Sequence, residues 1–118
     1  MYHGDVTPAN ILMTDRYSIK LADFGLSGFE NEDKSFKGTI GFLPPEIYER
    51  KRFSGRRRDL YAASLTLFKL VTGRLPFKIA DTSDPIFFLL YQDKWDRFWQ
   101  ALSVPLSDSL RQFFERTL

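Results

Sequence analysis

HGDVTPAN at residues 3–10, DFG at residues 23–25 and GTIGFLPPE at residues 38–46 are the strings that decide the fold. DFG alone carries little information, because its residue types are ordinary in turns, but the ordered set is far more specific. Between the first two strings, apolar stretches at 11–13 and 17–21 flank a polar turn and predict a small hairpin. Such a hairpin would hold Asn10 at one end and Asp23 at the other in a fixed relation.

In this order and spacing the strings resemble the catalytic half of the eukaryotic protein kinases. The likeness continues through DLYA at residues 59–62 and TGRLPF at residues 72–77, and it covers nearly the whole chain. It points to the serine/threonine type and is closest to the calcium/calmodulin-dependent group. The resemblance implies that residues 1–118 are a partial protein kinase domain, the C-terminal lobe, without the N-terminal lobe and its glycine-rich loop and without the final helix.

The resemblance also implies the chemistry of the site. Asp5 would receive the proton of a substrate hydroxyl during transfer of the γ-phosphate of ATP. Asn10 and Asp23 would bind Mg²⁺ and, through it, the nucleotide, because hard oxygen ligands suit that ion. Thr39 matches the threonine that shapes the acceptor site in serine/threonine kinases, and Phe42 stands where the family usually has tyrosine. The expected acceptors are therefore serine and threonine hydroxyls of a protein substrate.

Three further motif residues are expected to be structural. In the family the histidine equivalent to His3 packs beneath the catalytic loop as a hydrogen-bonding residue, so we do not expect it to act as a base. Phe24 is expected to pack and to position Asp23. Gly25 would supply backbone freedom at the start of the following loop.

Three more residues are expected to act further along the chain. Glu46 matches a structural glutamate whose usual arginine partner lies beyond residue 118, so its carboxylate is expected to be costly to bury. Asp59 is expected to begin the central helix, where a carboxylate accepts orphan backbone donors. Ser35 occupies the common activating phosphorylation position and is the hypothetical phosphosite.

The chain departs from the family pattern at two positions of the first string. Gly4 replaces the arginine that usually precedes the catalytic aspartate, and Thr7 replaces the lysine usually found two residues after it. Threonine cannot present a cation to the transferring phosphate, so we expect weaker charge stabilisation than in the usual pattern. A phosphate on Ser35 would normally pair with the arginine that Gly4 replaces.

The rest of the chain predicts helices. Pro44 and Pro45 precede a short helix over 46–50, and the polar segment 50–58 is expected to be a loop. Residues 59–72 are apolar almost all round, which predicts a buried helix ended by Gly73. Further helices are predicted over 84–92, over 95–102 and after Ser107. The predicted fold class is mainly α, a kinase-like helical lobe around one buried central helix with a small β-hairpin that carries the catalytic and metal-binding loops.

Composition excludes several classes of protein. The chain of 118 residues has a net charge of +2 from 17 basic and 15 acidic residues, which gives little support to nucleic-acid binding. It has no cysteine, so a disulfide framework and thiolate metal sites are excluded, and a reducing compartment, the cytoplasm or the nucleus, is expected. Its longest apolar run, residues 86–91, is far below the roughly 20 residues needed to span a bilayer. We therefore expect no membrane partner.

Two questions stay open on the sequence alone. The six basic residues of the segments 50–52 and 56–58 fit a solvated loop better than a nucleic-acid or phospholipid site, although a docking surface for acidic substrates is an alternative. The chain itself fits an ATP-dependent serine/threonine kinase that uses a separate or upstream N-terminal lobe. The alternatives are a non-catalytic, pseudokinase-like interaction module and a truncated, inactive gene product.

Overall fold

A two-stranded antiparallel hairpin follows the first sequence string, as the apolar stretches predicted. The structure is a computed structural model that describes residues 1–29 and 36–118. After a 3₁₀ turn over Pro8–Asn10, strand β1 (Ile11–Met13) pairs with β2 (Ile19–Leu21), with Leu12 opposite Lys20. The second strand is shorter than expected, because Tyr17 lies in the left-handed region at φ 61° and the backbone of Thr14 and Ser18 closes the turn.

Among the described residues, five α-helices follow the hairpin, and their positions largely confirm the predictions. Asp84 caps α3 by accepting hydrogen bonds from the N–H groups of Ile86 and Phe87, and Ser107 caps α5 through Leu110 N–H. In chain order the helices are α1 (Pro45–Tyr48), α2 (Gly55–Thr72), α3 (Pro85–Tyr91), α4 (Trp95–Leu102) and α5 (Asp108–Thr117).

The core forms where α2 packs against the aromatic residues of the last three helices. Phe68 of α2 contacts Trp99 and Phe114, with ring centroids 6.4 and 5.0 Å apart. Phe68, Phe98 and Phe114 are fully buried. The aromatic residues Phe87, Phe98 and Trp99 of α3 and α4 are buried in this core, whereas Phe88 and Tyr91 stay exposed.

Two predictions about α2 are wrong in part. The helix begins at Gly55, so the expected loop over 50–58 ends four residues early and Asp59 lies one turn inside the helix instead of at its start. The helix is also not buried all round. Leu60 and Leu70 are 57% and 66% exposed, and Leu67 and Val71 are exposed beside them. At 100° per residue these four side chains form one apolar stripe along α2.

No helix in residues 1–29 and 36–118 combines the length and the apolar character that crossing a bilayer requires.

Candidate active site

The Asp5 carboxylate lies at the meeting point of the first and third sequence strings. Its Oδ1 accepts hydrogen bonds from the Thr39 hydroxyl at 2.7 Å and from the Thr39 backbone N–H at 3.2 Å. Its Oδ2 accepts a hydrogen bond from the Asn10 side-chain amide at 3.0 Å, and the same amide donates to the Asp5 carbonyl at 2.9 Å. Three of the residues predicted from the sequence are therefore in direct contact.

Among the described residues, these contacts leave one lone-pair direction of the Asp5 carboxylate without a hydrogen-bond donor. An ionised carboxylate offers about two lone-pair directions on each oxygen, roughly four in all. Thr39 uses two on Oδ1 and Asn10 uses one on Oδ2. The remaining direction belongs to Oδ2, so an incoming hydroxyl would approach Asp5 on the side of Asn10.

The backbone that precedes Asp5 is held by a residue of α2. The Asp59 carboxylate accepts hydrogen bonds from His3 N–H at 2.6 Å and Gly4 N–H at 2.8 Å. This corrects the expectation that Asp59 caps its own helix: it accepts backbone donors, but they belong to the loop more than 50 residues earlier in the chain. The fixed loop in turn fixes the position of Asp5.

His3 joins the loop to the start of the DFG string. Its side chain is buried, its Nε2 lies 2.9 Å from the Ala22 carbonyl, and its Nδ1 accepts a hydrogen bond from Asp5 N–H at 3.2 Å. The Phe24 ring meets the His3 ring edge to face with centroids 4.7 Å apart, while about half of Phe24 stays exposed. His3 therefore has a structural environment, without a free nitrogen directed at solvent.

The hairpin brings the second candidate metal ligand close to the first. The Asn10 carbonyl accepts a hydrogen bond from Ala22 N–H at 2.8 Å, so Asp23 is one residue from a direct backbone contact with Asn10. Asp23 is exposed, has φ 60° and accepts a hydrogen bond from Gly25 N–H at 3.2 Å. This left-handed conformation is uncommon for a residue other than glycine, although aspartate tolerates it better than most.

The oxygen atoms at this end of the hairpin are suitable ligands for a magnesium ion. Asn10 donates its amide N–H groups to Asp5, which leaves its amide oxygen available to a cation, and the exposed Asp23 carboxylate could join it. Hard oxygen ligands of this kind, with water and phosphate completing the shell, are what Mg²⁺ prefers. A cluster of three or more His, Cys, Asp or Glu residues suited to a metal is absent from the described residues, so Asn10 and Asp23 would need ligands from the nucleotide.

The two departures from the family pattern have different structural settings. Gly4 has φ 86°, and a Cβ there would lie 2.5 Å from the Leu26 carbonyl oxygen, so this backbone requires glycine. Thr7 is buried beneath the loop. Neither residue supplies a cation beside Asp5.

Sequence reasoning missed two residues of α2 that hold the site. Arg58, expected to be part of a solvated basic loop, is only 2% exposed: it donates to the Lys37 carbonyl and lies over the Phe53 ring at 5.7 Å. The Thr66 hydroxyl donates to the Val6 carbonyl at 3.1 Å. Of the three consecutive arginines 56–58, only Arg58 is buried, and no local sequence pattern distinguishes it from the other two.

Glu46 and Ser35 have different outcomes. Glu46 is only partly buried and lines a cavity of about 300 Å³ together with Arg57 and Arg116, so its carboxylate is less costly than expected. Tyr61 lines the same cavity, and among the described residues its buried hydroxyl has no hydrogen-bond partner. Burial raises the pKa of this hydroxyl, and the Glu46 carboxylate raises it further. Ser35 lies outside the described residues.

Comparisons with known proteins identify the family of the chain. The protein kinase domain family model matches residues 1–118, so the chain belongs to the protein kinase family. It is 38% identical to the serine/threonine-protein kinase GIN4 of Saccharomyces cerevisiae over 82 residues, 67% of this chain and 7% of that protein. It is 31% identical to the carbon catabolite-derepressing protein kinase of Secale cereale over 119 residues, 98% of this chain and 22% of that protein. The chain thus spans a small part of these relatives.

Proposed function

We propose that this chain is the C-terminal lobe of a serine/threonine protein kinase domain, and that the complete protein transfers the γ-phosphate of ATP to serine and threonine hydroxyls. The observation that carries the proposal is the Asp5 carboxylate, which Thr39 and Asn10 orient through three hydrogen bonds. A positioned carboxylate with one unused lone-pair direction suits a group that orients an acceptor hydroxyl and accepts its proton.

Each site residue has a role in this reaction. Asp5 Oδ2 accepts the proton of the substrate hydroxyl, Thr39 holds Oδ1 in place, and Asn10 and Asp23 would hold magnesium. Magnesium bound with ATP would neutralise the charge that develops on the phosphates. His3 and Asp59 keep the loop in the geometry that the reaction needs.

The apolar surface supports an incomplete domain. The stripe of Leu60, Leu67, Leu70 and Val71 on α2 is exposed, and so are Leu12, Met13, Ile19 and Leu21 of the hairpin. Exposed apolar side chains grouped on one helix or one hairpin in this way mark places where further protein packs. We therefore propose that these apolar side chains are covered by further parts of the kinase. One of those parts is an upstream or separate N-terminal lobe, which would complete the nucleotide site.

Magnesium-dependent nucleotide binding tests the metal assignment. We expect Asp23→Ala in the natural full-length product to lose magnesium-dependent binding of ATP in isothermal titration calorimetry, because one of two protein ligands is removed. Asp15→Ala is the control, since Asp15 is an exposed carboxylate of the hairpin turn. Equal affinities of the Asp23→Ala variant and the parent protein would refute the assignment.

A non-catalytic interaction module is the second candidate. The observation that favours it concerns two positions near Asp5. Gly4 and Thr7 stand where the family carries arginine and lysine, so neither position supplies a cation to the site. If the full-length product binds no nucleotide in the presence of magnesium, this candidate replaces the enzyme.

A further inference from the structure

A basic pocket lies beside the segment that leads to Thr39. Its volume is about 560 Å³, within the range of pockets that bind small ligands and peptide side chains. It is formed where α1, the connection to α2 and the residue before Lys37 meet. Its lining consists of Phe36, Ile47, Tyr48, Arg50, Lys51 and Phe53.

The pocket combines an apolar floor with a cationic rim. Ile47 and Phe53 are buried beneath it, while Arg50 and Lys51 are exposed at its edge. The Lys51 ammonium lies 2.6 Å from the Glu49 carboxylate, and this hydrogen bond raises the pKa of Lys51. Lys51 is therefore a cation at every physiological pH, and among the described residues Glu49 and Glu46 are the carboxylates that raise its pKa.

The pocket is physically coupled to the acceptor site. Phe36 precedes Thr39 by three residues, and three residues of extended chain span at most about 11 Å. Arg58 lies over the ring of Phe53 in the pocket floor and donates to the Lys37 carbonyl, so it ties the pocket to the segment that ends at Thr39. A Cβ at Gly38 would meet this guanidinium at 2.6 Å, which shows how closely the two are packed.

We propose that the basic pocket binds an acidic side chain of the protein substrate, three or four residues from the acceptor serine or threonine. Phe36 at the edge of the pocket lies at most about 11 Å from Thr39, a distance that three or four residues of extended peptide cover, and the charge of the rim selects aspartate or glutamate. This inference rests on the proposed function, whose acceptor site it extends. It assigns part of the basic segment to substrate selection, while Arg58 of the same segment is structural.

Peptide binding tests the proposal without requiring phosphoryl transfer. The probes are fluorescein-labelled alanine-based peptides with a central serine and two aspartates, three and four residues to its amino or carboxyl side. Peptides with asparagine in place of aspartate are the neutral controls. Fluorescence anisotropy at low salt compares the natural full-length product with its variant Arg50→Asn/Lys51→Gln. Asparagine is chosen because Arg50 has φ 55°, a region that asparagine tolerates.

A matched variant controls for net charge. Arg16→Gln/Lys20→Gln also removes two exposed cations, from the hairpin. Exposed ion pairs contribute about 0.2–1 kcal/mol each, so we expect the pocket variant to bind an aspartate peptide roughly fivefold more weakly and the hairpin variant less than twofold more weakly. Circular dichroism checks that both variants are folded.

Four outcomes would overturn the proposal. These are an equal loss in both variants, no loss in the pocket variant, equal binding of aspartate and asparagine peptides, and binding of a single-stranded oligonucleotide or an anionic vesicle as tightly as the aspartate peptide. None of them bears on magnesium-dependent nucleotide binding. A failure of this inference is therefore separable from a failure of the proposed enzyme.

Discussion

Removing the Asp59 carboxylate is expected to destabilise the fold and loosen the site together. Asp59 accepts hydrogen bonds from His3 N–H at 2.6 Å and Gly4 N–H at 2.8 Å, and both of these residues are buried. In Asp59→Ala the two N–H groups lose their acceptor, and a buried unsatisfied polar group costs about 1–3 kcal/mol. The sum is roughly 2–6 kcal/mol, and the better helix propensity of alanine returns about 0.5 kcal/mol.

We therefore expect Asp59→Ala to lower the free energy of unfolding by about 2–5 kcal/mol, a large part of the roughly 5–15 kcal/mol of an ordinary domain. Asp59→Asn keeps one acceptor oxygen and is expected to lose about half as much. Urea denaturation followed by circular dichroism measures both, and Asp96→Ala, an exposed aspartate in the first turn of α4, is the control.

A local measurement separates this mechanism from general destabilisation. Hydrogen exchange of the amides of His3 and Gly4 should accelerate in Asp59→Ala more than that of the α4 amides, because only the former lose their acceptor. A stability loss below about 1 kcal/mol, or uniform acceleration across the chain, would refute the assignment of Asp59 as the acceptor for this loop.

Two further substitutions test the packing around the site. Tyr61→Phe removes a buried hydroxyl without a partner among the described residues, and we expect urea denaturation to show about 1 kcal/mol of stabilisation, with no change in the exposed control Tyr17→Phe. Burial raises the pKa of Tyr61 above 10.0, so the unfolded chain ionises first. Stability should then fall with rising pH above about 10, and less steeply in Tyr61→Phe; identical slopes would contradict this. Gly4→Ala should cost about 2 kcal/mol or more in thermal unfolding, and more than Gly73→Ala. Both glycines have positive φ, but a Cβ at Gly73 meets nothing within 4 Å. If both substitutions lowered stability equally, the backbone at Leu26 would have to move aside for the new Cβ, which would contradict this prediction.

The local features of the fold were predictable because their causes are local. Gly73 marks the end of α2, and Asp84 and Ser107 mark the starts of α3 and α5, through contacts with their immediate neighbours, so these three helix ends could be predicted. The strings at 3–10 and 38–46 also indicated that Asp5, Asn10 and Thr39 belong together, and the structure places them in contact.

The misplaced residues have causes that no local pattern contains. An aspartate can accept backbone hydrogen bonds both at the start of a helix and within it. Only the tertiary fold brings the N–H groups of His3 and Gly4 to Asp59. Likewise, a helix with apolar residues on all sides can be fully buried, but only if other protein packs against each of its sides. The stripe at Leu60 and Leu70 has none among the described residues.

One helix connects the exposed apolar surface to the chemistry. Asp59 holds the backbone before Asp5, Thr66 holds the Val6 carbonyl after it, and Arg58 holds the segment before Thr39. All three belong to α2, so both sides of the Asp5–Thr39 pair are positioned by the same rigid element. The exposed stripe runs along an adjacent side of that helix. A protein segment that packs on the stripe would therefore restrict the motion of α2 and, through these three contacts, the geometry of the acceptor site.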